Sequence, residues 1–202
     1  MQLDNRILTK AESLFFKYGI KSISMDDLSR ELGISKKTLY QSVDNKKDLV
    51  LQVFQNHAQK EVEAIINIRQ EAADAIDEMI EVAKHVIPTL RQITPTILFD
   101  MQKYYREIWQ LMQEFNQQEI FKVIKENIER GIEEGIYRNE FHPEIIAKLY
   151  VGKTMVVIDE DIFPLKDYNK ENLFKEHIQY HIRGIATSKG LKLLEKHFKK
   201  LS

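Results

Sequence analysis

Residues 7–50 read ILTKAESLFFKYGIKSISMDDLSRELGISKKTLYQSVDNKKDLV, and their pattern decides the fold. Apolar residues recur every three or four positions in the first part, which predicts a helix that ends at Gly19. Glycine suits this place because it tolerates the positive φ of a helix C-cap. Ser24 followed three residues later by Asp27 has the spacing of a capping box. This spacing predicts a second, short helix over residues 25–32.

The part of the stretch that follows predicts a turn and a third helix. Gly33 supplies the turn, and Ser35 is a suitable N-cap for a short helix over residues 36–42. Asn45 is the predicted N-cap of a long helix that runs to about residue 68. We therefore expect two short helices around a glycine turn, with a longer helix on either side.

The rest of the chain also predicts helices. It has few helix breakers, since the whole sequence contains only 7 glycines and 4 prolines, and its apolar residues keep the helical spacing. Asp74 and the pair Thr94-Pro95 are predicted helix starts, while Pro88 and Gly135 are predicted helix ends. The helices predicted after residue 70 cover residues 74–88, 94 onward, 104–134, 143–160, 170–187 and 191–199. No convincing strand is found, so the predicted fold class is all-α.

The charge of the chain is balanced overall but not locally. The 30 basic and 31 acidic side chains give a net charge of −1, which disfavours binding through overall charge. Between Arg30 and Lys47, however, the sequence contains five basic residues and only two acidic ones. Any nucleic-acid binding should therefore be confined to this segment.

Several classes of protein are disfavoured by what the sequence lacks. It has no cysteine, which excludes disulfides and thiolate metal sites and fits a reducing compartment. It shows no signal peptide and no apolar stretch of membrane-spanning length. No nucleophile with a base and no phosphate-binding glycine loop is recognised. We expect a soluble cytoplasmic protein that is not an enzyme, has no membrane partner and needs neither cofactor nor metal.

The segment over residues 7–50 resembles the DNA-binding domain of the TetR (tetracycline-repressor-like) family of regulators. The matching positions are Leu14, Phe15, Gly19, Ser24, Leu28, Gly33, Ser35, the run Thr38-Leu39-Tyr40, Lys46 and Leu49. The chain departs from the family at Ser42 and Val43, where an aromatic residue or histidine followed by phenylalanine is common, and at Ser29, where alanine is common. The resemblance implies a helix-turn-helix domain over residues 1–46 and a helical domain for effector binding and dimerisation over residues 47–202.

The candidate DNA-binding residues lie around the third helix. A helix that enters the major groove needs short polar or cationic side chains near its N-terminus, and this chemistry selects Lys36, Lys37, Thr38 and Gln41 as base-reading candidates. The resemblance implies phosphate contacts for Ser24, Ser35, Tyr40 and Lys46. Phosphate contacts would position the protein, and base contacts would select the sequence.

The effector site is expected among the central helices, because the resemblance places a cavity there. The candidates are the aromatic and methionine side chains of the predicted long helix: Tyr104, Tyr105, Trp109, Met112 and Phe115. Ordinary core packing is the alternative, since most aromatic stripes at helical spacing are core. The identity of the small molecule is not predicted.

A homodimer is expected because one short recognition helix makes too few contacts for useful affinity, whereas two copies can read a palindromic operator. The predicted interface is formed by two of the last helices from each chain. Its candidate residues are Ile145, Leu149, Gly152, Met155, Val156, Phe174, Ile178, Ile182 and Ile185.

The function predicted from these observations is that of a DNA-binding transcriptional regulator, a repressor released from its operator by a small-molecule effector. Two alternatives remain open. The N-terminal module could contact protein instead of DNA, and the pair His177 and His181, one helical turn apart, could hold a metal ion, although no third ligand is evident.

Overall fold

The computed structural model describes residues 5–198, and the elements of this range are ten helices. They are α1 (Asn5–Tyr18), α2 (Met25–Leu32), α3 (Lys36–Tyr40), α4 (Lys46–Glu71), α5 (Ala75–Gln92), α6 (Pro95–Tyr104), α7 (Arg106–Glu133), α8 (Pro143–Ile158), α9 (Lys170–Ile185) and α10 (Ser188–Phe198). A single isolated antiparallel bridge joins Tyr137 to Ala186. The all-α prediction is confirmed. None of these helices combines the length and the apolar character that a membrane crossing requires.

The predicted caps around α2 and α3 are confirmed. The Ser24 hydroxyl accepts from the Asp27 N–H at 3.1 Å, and the Asp27 carboxylate accepts from the Ser24 N–H at 2.9 Å, which completes the capping box. Gly33 ends α2 in the left-handed conformation with φ of 68°. The Ser35 hydroxyl accepts from the N–H of Thr38 at 3.0 Å and so starts α3. Local hydrogen bonds thus determine where each short helix begins and ends.

The chain divides into two compact units, and the first comprises the described residues 5–63 and 92–116. Its core joins α1, α2 and α3 to the first turns of α4 and to α6. The largest fully buried side chains of this core include Phe15, Leu28, Leu39, Leu49 and Met101. Each contributes about 1.5–3 kcal/mol by burial.

The domain boundary expected at residue 46 lies inside this first unit. The reason is that Leu49, Val50 and Val53 of α4 are fully buried in the core that α1 builds. The ends of the two expected domains, residues 1–4 and 199–202, lie outside the described residues. The helix-turn-helix domain of residues 1–46 remains a prediction about function.

The second unit comprises residues 64–91 and the described residues 117–198. Its core contains one face each of α5, α7 and α9, with Ile76, Ile80, Ile128, Ile178 and Ile182 at most 1% exposed. α8 and α9 pack against each other.

Arg130 of α7 is the polar centre of this second unit. Its guanidinium donates to the carbonyl oxygens of Arg69 and Ala72, at 3.2 and 2.9 Å, and so caps the end of α4. It also donates to the carboxylates of Glu78 at 3.0 Å and Glu134 at 2.7 Å. Glu78 is only 1% exposed, so its charge depends on this arginine for compensation.

Three predicted helix boundaries are wrong. Pro88 lies inside α5, which continues to Gln92. The long helix predicted from residue 104 begins at Arg106, because Tyr105 ends α6 with φ of −130° and ψ of 40°. α10 begins at Ser188 rather than after Gly190. Gly190 lies inside this helix because close packing requires a glycine there: a Cβ would lie 2.2 Å from the Ile136 carbonyl oxygen. The predicted end of the last helix at residue 199 lies outside the described residues.

Gly131 in α7 is required by close packing, so Gly131→Ala is expected to destabilise the chain by about 1–3 kcal/mol. A Cβ at this position would lie 2.1 Å from Cδ2 of Tyr137, a fully buried ring that has no room to move. Gly184→Ala is the matched control, since a Cβ there meets nothing within 4 Å and alanine favours the helix. Chemical denaturation checks both. Equal stability of the two variants would contradict the packing argument.

Candidate nucleic-acid interface

α3 presents its polar side chains to solvent. Lys36, Lys37, Thr38, Tyr40 and Gln41 are all exposed, and Tyr40 keeps 43% of its surface accessible. Leu39 is fully buried and attaches the helix to the core of the first unit. Every base-reading candidate is therefore open to a partner while α3 itself is held in place.

The two candidate serines are exposed, but their hydroxyls already serve as helix caps. Ser24 Oγ donates to the Asp27 carboxylate at 2.6 Å, and this bond lowers the pKa of Asp27. Ser35 Oγ lies 2.8 Å from the Thr38 hydroxyl. Both serines mark helix N-termini, where backbone N–H groups favour anions.

Two of the candidate lysines have partners within the chain. The Lys36 ammonium lies 2.8 Å from the Asp26 carboxylate, and this hydrogen bond raises the pKa of Lys36. Both side chains of the pair are more than half exposed, so the pair is weak and can open. The Lys46 ammonium is turned toward the loop between α1 and α2, where it donates to the Ile20 carbonyl at 2.6 Å. Partial burial there lowers the pKa of Lys46.

Sequence reasoning missed Asp100 of α6. Its carboxylate accepts from the backbone N–H of Lys21 at 2.8 Å, and the residue is only 4% exposed. The signal that could have found it is a lone acidic residue within the apolar run from Ile97 to Met101. A buried carboxylate requires partners, so such a position indicates a specific contact.

The effector candidates do not share one environment. Tyr105, Trp109 and Met112 are half-buried and pack against the core of the first unit, and Phe115 is also half-buried. Tyr104 is 41% exposed, and its hydroxyl accepts from the Lys21 ammonium at 2.9 Å. The break at Tyr105 separates Tyr104 from Trp109, Met112 and Phe115, which lie on α7. The pocket role remains a prediction, and Tyr104 lies at the surface.

The predicted interface residues on α8 are open to solvent. Ile145 and Leu149 are each 55% exposed and Val156 is 41% exposed, while Met155 is half-buried. A Cβ added to Gly152 meets nothing within 4 Å. We call the exposed row Ile145, Leu149, Gly152 and Val156 the α8 stripe.

The prediction that α9 contributes four apolar residues to the dimer interface is corrected by their burial. Phe174, Ile178, Ile182 and Ile185 are at most 5% exposed because they pack in the core of the chain's own second unit. They are therefore not available to a partner. The exposed apolar side chain of α9 is Tyr180, at 69%.

The pair His177 and His181 packs on both sides of one tyrosine ring. Their ring centroids lie 4.6 and 4.8 Å from that of Tyr150. Burial lowers the pKa of His177 to about 4 and that of His181 to about 3, so both are neutral at physiological pH. Among the described residues no group of three or more histidine, cysteine or acidic side chains has a geometry suited to a metal.

Residues 7–53 match the family model described as bacterial regulatory proteins of the tetR family. This segment belongs to the TetR family. The match covers the segment that forms α1, α2, α3 and the start of α4. The protein is therefore a DNA-binding transcriptional regulator with a TetR-type helix-turn-helix.

Similarity to other regulators extends over most of the chain. A curated relative, the HTH-type transcriptional regulator YvaF of Bacillus subtilis (strain 168), is 25% identical over 166 residues, which is 81% of this chain and 85% of the relative. A transcriptional regulator from Cytophaga hutchinsonii has a similar fold, with a TM-score of 0.74 at 18% identity over 91% of this chain and 98% of its own.

A third comparison concerns a regulator from Saccharomonospora viridis that was crystallised in complex with choline. Its TM-score to this chain is 0.69 at 17% identity, and the alignment covers 91% of this chain and 97% of the other. At this level of identity the likeness concerns the fold alone.

Proposed function

We propose that the protein is a homodimeric repressor that binds a palindromic operator through α3 and leaves it when a small-molecule effector binds. It would act in the cytoplasm, where the DNA is. The observation that carries the proposal is the exposure of the α3 side chains on a helix that Leu39 fixes to the core. A helix with one buried anchor and four exposed polar or cationic residues, followed by the exposed Gln41, suits insertion into a major groove.

We assign the contacts with DNA to two groups. Lys36, Lys37, Thr38 and Gln41 would read base edges, since their side chains can reach beyond the helix surface. Ser24, Ser35, Tyr40 and Lys46 would contact phosphates. Lys46 has three N–H donors, and the carbonyl oxygens of Ile20 and Lys21 occupy two of them. The third could bind a phosphate oxygen.

Dimerisation is assigned to the α8 stripe together with Tyr180 of α9. The stripe repeats at helical spacing, so its side chains form one continuous apolar row. Exposed apolar rows of this kind mark association surfaces. The open space at Gly152 allows a second helix to approach closely. The two recognition helices of a dimer on a palindromic operator would enter successive major grooves, about 34–36 Å apart.

The effector is assigned to a site that includes Tyr105, Trp109, Met112 and Phe115. These side chains are half-buried, so a ligand could reach them at a modest cost in packing. The choline complex of the Saccharomonospora viridis regulator supports a small-molecule ligand for a fold of this kind. Such a ligand would reduce DNA affinity only to the extent that it favours a second conformation.

Fluorescence anisotropy with a labelled duplex from the region upstream of the protein's own gene tests the proposal. We expect saturable binding of two chains per palindrome, with competition by the same sequence and little competition by unrelated DNA. Thermal-shift screening of small molecules then finds ligands that stabilise the chain, and these should release the duplex. Sequence-independent binding, or no binding at moderate salt, would reject the proposal in favour of a contact with protein.

Lys37→Ala is expected to lower operator affinity by roughly ten- to a hundredfold if Lys37 reads a base, because a good base contact contributes about 1–3 kcal/mol. Discrimination against one altered base pair should relax in the same variant. Lys60→Ala is the matched control: it removes the same charge from an exposed position about 21 Å along α4 from Lys46. Anisotropy titrations against native and base-substituted duplexes measure both. A loss shared by the two variants would point to general charge instead.

A further inference from the structure

The loop between α1 and α2 is held at a single peptide group. The carbonyl oxygen of Ile20 accepts a hydrogen bond of 2.6 Å from the Lys46 ammonium, and the N–H of Lys21 donates one of 2.8 Å to the Asp100 carboxylate. These two atoms belong to the same peptide bond. The peptide is negative at its oxygen and positive at its N–H, so a cation and an anion each meet the end of opposite sign. We call this arrangement the peptide clamp.

An independent observation shows that the loop is pressed against α6 at this point. Gly19, immediately before the clamped peptide, has φ of +85°. A Cβ at Gly19 would lie 2.7 Å from Cγ2 of Thr96 and 3.3 Å from the Asp100 carboxylate. Only glycine fits this backbone conformation and this approach. The contact between the loop and α6 is therefore built into the sequence on both sides.

The two charged members of the clamp also compensate each other. Asp100 is 4% exposed, and a carboxylate so buried needs both hydrogen bonds and a counter-charge. Lys46 is half-buried, and burial lowers its pKa while the negative charge of Asp100 acts in the opposite direction. The clamp thus joins the first residue of α4 to α6 through the loop that leads into the helix-turn-helix.

We propose that Asp100 is a positioning residue for operator binding, which acts by fixing the Ile20–Lys21 peptide together with Lys46. Ser24, the N-cap of α2, follows this peptide by only three residues. The direction in which the chain leaves the clamp therefore sets the placement of α2 and of α3 behind it. Asp100 contacts no DNA itself. This proposal rests on the proposed function, because operator binding is its readout. It adds a buried residue to the exposed residues that are proposed to contact DNA.

Asp100→Ala is expected to lower operator affinity by roughly tenfold or more, since it removes a charge-assisted hydrogen bond and the larger of the two negative charges that act on Lys46. The slope of log affinity against log salt should stay unchanged, because that slope counts phosphate contacts. Asp100→Asn keeps an acceptor oxygen for the Lys21 N–H, so it should recover part of the affinity. Gln102→Ala, at an exposed position of the same helix, is the control and should bind like the parent chain.

Hydrogen exchange gives a second readout that does not involve DNA. The Lys21 amide should be protected in the parent chain and in Gln102→Ala, partly protected in Asp100→Asn, and unprotected in Asp100→Ala. Asp100→Ala that binds the operator within twofold of the parent, or that keeps the Lys21 amide protected, overturns the proposal. So does a salt slope reduced by about one, which would mean that the variant loses a phosphate contact of a cationic residue. Absence of operator binding by the parent chain would reject the proposed function instead, and the exchange result would still decide the clamp.

Discussion

Arg130→Met is expected to lower the free energy of unfolding by about 3–5 kcal/mol at pH 7, the cost of leaving a buried charge without its partner. The variant would remove the hydrogen bond and the charge of Arg130 from Glu78, which is 1% exposed, and would uncap the carbonyl oxygens of Arg69 and Ala72. Arg91→Met is the matched control. Its guanidinium pairs with Glu171 but is 63% exposed, so its loss should cost at most about 1 kcal/mol. Urea denaturation of both variants measures the difference, and equal losses would contradict the role of Arg130.

The cost of Arg130→Met should also depend on pH. Burial raises the pKa of Glu78 above its ordinary value, against the hydrogen bond from Asn127 and the nearby arginine charges. Removal of Arg130 should raise this pKa further. Because the pKa of this carboxyl is higher in the folded state than in the unfolded state, its protonated form stabilises the fold at a pH below the unfolded-state pKa. This stabilisation is lost as the pH rises through the folded-state pKa. The deficit of Arg130→Met should therefore shrink between pH 7 and pH 5. The double variant Arg130→Met with Glu78→Gln should be more stable at pH 7 than Arg130→Met alone. Its free energy of unfolding should also change less with pH.

Leu149→Glu is expected to convert the proposed dimer into a monomer and to lower operator affinity by at least about a hundredfold, since the second half-site would no longer add to binding. A two-fold interface brings the substituted position of each chain into the same buried patch, so the glutamates would be desolvated together. Sedimentation velocity and anisotropy titration measure the two effects.

Ile66→Glu provides the control for this experiment. Ile66 is 47% exposed on α4, so the change introduces the same charge at a comparable exposed apolar position outside the α8 stripe. The control should remain dimeric and bind the operator normally. A dimer that survives Leu149→Glu would show that the chains associate through another surface.

The features of the fold that depend on neighbouring residues could be predicted from the sequence. The Ser24–Asp27 capping box, the left-handed Gly33 and the Ser35 cap are contacts within four residues, so the letters alone specify them. The same holds for Asp74, whose carboxylate accepts from the Asp77 N–H at 2.9 Å at the start of α5. These features sufficed to place α3 and its exposed candidates.

Features that depend on distant parts of the chain could not be predicted in this way. An apolar stripe such as Phe174, Ile178 and Ile182 says that a face is buried but not whether the chain itself or a second copy covers it. Asp100 meets Lys21 across 79 positions, and no local pattern indicates such a pairing.

The brevity of α3 has a consequence for attempts to re-engineer its specificity. The helix has five residues, whereas helices shorter than about 12–15 residues are marginal in water on their own. The Ser35 cap and the burial of Leu39 among α1, α2 and α4 stabilise its helical conformation. An excised α3 peptide would keep the proposed DNA-contacting side chains but would not hold them in a helix. Transplanting these side chains into another scaffold would require moving the supporting helices with them.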